Sequence, residues 1–240
     1  MLSVVVRDVY TDAERREMRA SLKSLLPIDS MIWSPAGVYC FWDPETHDAL
    51  YVGVSNNLAG RFATHNGLTG RLPRGNKVQE INDWFQTHPR LGYSVILQSA
   101  IADDKYEGAS SRAEGQLIEG HRIRYGSIPP WNKIGASTEG AAKAGVLTGG
   151  WFDMLTGRGD SLMVSRRTIR ELDADASAEM KEFDLVIART PLLVSQVGDG
   201  AIRTALARVQ DNAEYWGMTQ DRCAELAAYL DEPAPHPESI

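Results

Sequence analysis

Apolar and polar positions change their period several times between residues 2 and 133, and each change marks an element. Residues 2–9 alternate weakly, as a strand does. Thr11-Asp12-Ala13-Glu14 then sets a threonine three positions before a glutamate, the pattern of a capping box. Met18, Leu22, Leu25 and Leu26 share one side of the helix that follows, and Pro27 ends it. Val38-Tyr39-Cys40-Phe41-Trp42 is aromatic or β-favouring, Asp43-Pro44-Glu45 breaks it with turn residues, and Leu50-Tyr51-Val52-Gly53-Val54 resumes it. Two strands joined so closely pair antiparallel, because a parallel return needs a crossover of about a dozen residues. Gly53 leaves room beside the second strand for another backbone or a ligand. Ser55-Asn56-Asn57 offers N-cap side chains to a helix bearing Leu58, Phe62 and His65, which stops at Asn66-Gly67. Residues 66–76 read as a mobile loop. Val78, Ile81, Trp84 and Phe85 mark a helix to Thr87, Tyr93–Leu97 a third core strand, and Ala113, Leu117, Ile118 and His121 a helix over 110–124.

This pattern predicts an α/β fold of the α+β kind, a small three-stranded antiparallel sheet flanked by helices over residues 30–135. Residues 1–29 form an N-terminal strand and helix extension to it. After Lys133 the chain turns small and glycine-rich, which sets a flexible linker at 136–150. Residues 151–232 read as an acidic, mostly helical region, with an amphipathic stripe through Ile202, Leu206, Val209 and Trp216 and a strand near Asp184–Ala188. Proline-rich 233–240 reads as a tail.

Charge changes the picture only when it is divided along the chain. The net charge of −7 argues against a nucleic-acid binder, but residues 151–240 hold nine Lys/Arg against sixteen Asp/Glu and carry all of it. Residues 60–133 hold ten basic and seven acidic residues, and Arg71, Arg74 and Lys77 follow Arg61 with no acid between. The core domain can therefore present a basic face, with these three as nucleic-acid contacts. No apolar run reaches the ~18 residues of a membrane span. The two cysteines, Cys40 and Cys223, fit no metal spacing, and no secretion signal is read at the N-terminus, so the expectation is a cytoplasmic protein with reduced thiols.

Several polar residues recur at positions that hairpin and helix bring together. Arg61 and His65 are four apart and share a helix face. Gly37-Val38-Tyr39 and Tyr51-Val52-Gly53 resemble the paired motifs of the GIY-YIG nuclease superfamily, each with Val for Ile. Arg61-x-x-x-His65 looks like that family's helix motif. Ala113-Glu114-Gly115-Gln116-Leu117-Ile118 is similar to its metal-binding helix, and Pro129-Pro130-Trp131-Asn132 to its closing motif. All five lie in the family's order over about residues 35–135, somewhat over half of the chain.

The resemblance implies an endonuclease that hydrolyses phosphodiester bonds in DNA, with RNA left open, using one Mg²⁺ (or Mn²⁺) on Glu114. Tyr39 would orient or deprotonate the attacking water, with His65 accepting or relaying the proton. Tyr51 would position water or phosphate, and Arg61 offers the planar fork that grips a phosphate. Asn132 would fix the second helix or touch substrate backbone. Glu119 competes with Glu114 for the metal and loses on register. A homodimer, and an inhibitory or specificity partner, belong to the same reading. The rivals are a catalytically silent nucleic-acid-binding module and a toxin-like nuclease masked by its acidic C-terminal region.

Overall fold

The computed structural model describes residues 5–25, 36–70, 73–97, 109–133, 135, 137–159, 164–165 and 167–174. Four strands form one sheet: β1 (Val5–Tyr10), β2 (Gly37–Trp42), β3 (Ala49–Ser55) and β4 (Leu91–Leu97). Their order is β1-β4-β2-β3, with every neighbouring pair antiparallel. The sheet thus has four strands where the pattern predicted three. The weakly alternating N-terminal segment is not an appendage but an edge strand, running from Val5 opposite Ile96 to Tyr10 opposite Leu91. Its place is set by a partner strand that begins at Leu91, far downstream, which local periodicity does not encode.

β2 is buried on both faces along its whole length, which explains its unbroken apolar run. Tyr39 and Phe41 point to one face, where they join Val6, Tyr10, Tyr93 and Val95. Helices α1 (Arg15–Leu25), α2 (Leu58–His65) and α3 (Val78–Thr87) cover that face through Met18, Leu22, Leu25, Leu58, Phe62 and Ile81. Val38, Cys40, Trp42 and Val52 point to the other face, under Leu117 and Ile118 of α4 (Ala109–Tyr125). The N-terminal cap forms as its sequence predicts, with Thr11 N–H donating to Glu14 Oε2 at 2.7 Å. Residues 12–14 make a 3-10 turn before α1 proper.

The small residues after Lys133 serve close packing. α5 (Thr138–Ala141) and a 3-10 turn (Val146–Gly150) lie along α4. A Cβ on Gly115 would stand 2.5 Å from Ser137 O, and one on Gly140 would collide with the Arg112 carbonyl. α6 (Trp151–Thr156) brings Phe152 and Leu155 into the second core. α7 (Ile169–Ala174) packs Ile169 and Leu172 into the first. Arg170 of α7 ties down the N-terminal edge: its side chain donates to both oxygens of buried Asp8 and to the Val9 carbonyl, and pairs with Glu14. The helices and strand read from residues 175–240, and the tail, lie outside the described residues. Among the described residues no helix is long and apolar enough to cross a membrane.

Candidate active site

Tyr39 stands at the centre of the candidate site. It is wholly buried, because β2 is a central strand and its ring packs among Phe41, Tyr51, His65 and Tyr93. Gly53 is its register partner on β3. A Cβ there would stand 2.5 Å from Tyr39 Oη and 2.8 Å from Tyr51 Cε1, so the room left by Gly53 is filled by the two phenols. Asn57 caps α2 through Oδ1, which accepts from Gly60 N–H at 2.8 Å, and the helix then presents Arg61 and His65 to the rings. Tyr39 Oη and His65 Nε2 are hydrogen-bonded at 2.7 Å, and Arg61 Nε donates to Tyr39 Oη at 3.2 Å. The Tyr51 hydroxyl lies within electrostatic reach of both Arg61 and Tyr39. The ring centroids of Tyr39, Tyr51 and His65 lie 5.6–5.9 Å apart. Tyr51 and Arg61 are half-buried, so they, rather than Tyr39, form the solvent-facing part.

Glu114 arrives from the other side. Its helix α4 packs on the sheet face opposite Tyr39, through Leu117 and Ile118. β3 is an edge strand, however, and Glu114 meets it there: its carboxyl is influenced by the Val54 backbone N–H and by the charge of Arg61. The outward backbone groups of β3 are covered in succession. Leu50 O accepts from Trp131 N–H at 2.8 Å. Asn132 pairs with Val52 like a short strand, accepting its N–H at 2.9 Å and donating to its carbonyl at 2.8 Å. Glu114 stands by the Val54 N–H. Capping the edge satisfies groups that would otherwise invite another strand. Asn132 is therefore bound to the sheet, and its amide is committed there. Glu119 is turned away from the site and paired with Arg122.

Electrostatics separate these groups. Burial raises the Tyr39 pKa well above its usual 10, a change that the nearby Arg61 cation only moderates. Burial, with Arg61 and Lys77 nearby, lowers His65 to about 3, so the imidazole is neutral. Its Nδ1 is buried without a partner. A proton on Tyr39 is thus held tightly, and His65 takes one poorly. Glu114 is raised to about 7, mainly by burial, with the Val54 N–H and Arg61 pulling it down. It is the member of the site that titrates near neutrality.

Among the described residues no group of three or more His, Cys, Asp or Glu is assembled to hold a metal. Glu114 offers one hard carboxylate whose charge is under-compensated by its surroundings. That donor set fits Mg²⁺, which keeps several waters and takes further ligands from phosphate. It does not fit a metal that needs a full protein cage.

The basic loop divides. Arg74 is exposed, as a surface contact requires, and Arg71 lies outside the described residues. Lys77 is buried, at 4% exposure, with Nζ 3.1 Å from Glu80 Oε1 and 5.0 Å from the Tyr51 ring centroid. Sequence reasoning missed this, since lysine is almost never fully buried unless paired and nothing local marks the exception. His47 and His121 bond backbone carbonyls, and His88 stacks on Trp84, all away from the site. No family model, curated protein or solved structure matches the chain.

Proposed function

We propose that this protein is a divalent-metal-dependent endonuclease that hydrolyses phosphodiester bonds in DNA, with a GIY-YIG-like site. One observation carries the reading: Tyr39, Arg61 and His65 share a hydrogen-bonded cluster, with the Tyr51 ring packed against it, and its guanidinium is sensed by Glu114 across the edge of β3. Phosphodiester hydrolysis needs a positioned water and charge on the phosphoryl oxygens. Beyond the Nε that donates to Tyr39, the exposed Arg61 Nη2 holds only a long 3.5 Å bond to the Gly75 carbonyl, which a phosphate oxygen would replace. Tyr51, half-exposed, is the phenol that meets an incoming water or phosphate. Tyr39 works from behind, packing against the Tyr51 ring and holding the Arg61 Nε in place while His65 holds Tyr39. Its raised pKa suits this orienting role better than proton abstraction. A divalent cation on Glu114 supplies positive charge for the phosphoryl oxygens. Asn132 keeps β3, and with it Tyr51, in register. Exposed Arg74 adds a contact to the nucleic-acid backbone, making binding fall with salt.

The silent binding module is a second reading, favoured by one feature: with Tyr39 so reluctant to lose a proton and His65 so reluctant to gain one, the pair supplies no ready base. Plasmid cleavage in Mg²⁺, Mn²⁺ and chelator separates the two. Nicking by wild type, abolished by chelator and by Glu114→Ala and Arg61→Ala, supports the nuclease. Retained activity in Glu114→Ala removes the metal assignment. DNA binding with no cleavage under any metal establishes the silent module.

A further inference from the structure

Lys77 is the charged residue that the proposed chemistry leaves without a task. It caps the N-terminus of α3, its carbonyl accepting from Ile81 N–H at 2.9 Å. From there its side chain turns inward, 5% exposed, to pair with Glu80, which is 26% exposed. The ammonium lies over the face of Tyr51, where the negative face of the ring attracts it. Stability is a weak reason for a buried ion pair, because apolar replacements of such pairs are often neutral or better.

We propose that Lys77, clamped by Glu80 against the face of Tyr51, is a positioning residue of the candidate site, fixing that ring and setting a second positive charge beside His65. Its effect on cleavage rests on the nuclease reading; its effect on the imidazole does not. Four groups face His65: Tyr39 from β2, Tyr51 from β3, Arg61 from its own helix and Lys77 from the start of α3. Burial does most to keep His65 neutral, and the two cations both oppose a third charge at the ring, which stays hydrogen-bonded to Tyr39. The same ammonium covers one face of the Tyr51 ring while Tyr39 and His65 pack beside it, so the ring is fixed between the cation and the core.

The test compares wild type with Lys77→Met, Lys77→Arg and Glu80→Gln. Histidine-selective NMR follows His65 across pH, and plasmid cleavage gives kcat and KM. In Lys77→Met the onset of His65 protonation moves to higher pH, and kcat falls about tenfold, the scale of a desolvated cation–ring contact. KM changes less than kcat, because Lys77 does not touch substrate. Lys77→Arg restores most of both properties. Glu80→Gln, which loosens the clamp but leaves the charge, lowers kcat without raising the His65 onset, and it stands in if Lys77→Met fails to fold. An unchanged His65 onset with unchanged kcat in folded Lys77→Met overturns the proposal. So does a loss confined to KM, or one that arginine does not rescue. A wild type that never cleaves sinks the nuclease reading alone and leaves the NMR titration to decide the placement of Lys77.

Discussion

Gly53→Ala puts the packing of the candidate site to its hardest test. The added Cβ would stand 2.5 Å from Tyr39 Oη, 2.6 Å from Tyr39 Cζ and 2.8 Å from Tyr51 Cε1. Ordinary contact begins near ~3.5 Å, so one of the groups must retreat by about 1 Å. Tyr39 is fully buried and enclosed by Phe41, His65 and Tyr93, and has nowhere to go. β3 is held from outside by Trp131 and Asn132, so the strand does not yield either. Overpacking of this kind costs about 1–3 kcal/mol. Displacing Tyr39 Oη also stretches its bond to His65, worth about 1 kcal/mol more. The expected loss is about 2–4 kcal/mol in urea unfolding. For cleavage, a 1 Å misplacement of the phenols predicts a fall of about a hundredfold. Gly70→Ala is the control, since a Cβ there meets nothing within 4 Å. Gly53→Ala unfolding within about 0.5 kcal/mol of wild type, the range of an ordinary surface change, would refute this account of the phenol pair.

Three further outcomes are expected. The folded pKa of Glu114 lies above its ordinary 4.5, near 7, so the native state holds a proton that the unfolded chain releases between those values. Wild-type stability therefore falls as pH rises through that window. Glu114→Gln removes this component, leaving it more stable than wild type by about 1–2 kcal/mol at pH 8, after solvent screening, and level with it near pH 4, as urea titrations will read. Tyr93 Oη is buried with no partner, whereas Tyr10 Oη donates to Asn66 Oδ1 at 2.9 Å; Tyr93→Phe should match or exceed wild-type stability, and Tyr10→Phe should lose about 1–2 kcal/mol in thermal or urea unfolding. Arg170→Met strips buried Asp8 of its cation and should cost about 2–3 kcal/mol, part of which Asp8→Asn in the same chain recovers.

Much of the sheet and its first helices was legible because the signals are local. Thr11 and Glu14 are three residues apart, and their contact depends on nothing else. The Val38–Trp42 run and its hairpin partner likewise find each other across a short turn. Residues 136–150, read as a flexible linker, show how composition alone leaves a distant partner out of view. Small residues promise flexibility when read alone, yet Gly140 is small because the Arg112 carbonyl lies against it, a partner on another helix. Lys77 was read as a surface cation for the same reason: exposure is a property of the assembled chain, not of a residue type.

By itself the sequence determined which short segments become strands and helices, since backbone propensity, capping and turn formation act over a few residues, and it marked the residues for which chemistry is proposed. Only the tertiary structure decided that the N-terminal strand completes the sheet beside β4, and that Glu114 reaches Arg61 around the edge of β3 rather than across one face. It also decided that Tyr39 lies behind Tyr51, and that His65 stays neutral beside two cations. Each of these depends on desolvation and on contacts between residues distant along the chain, and both exist only once the core has closed.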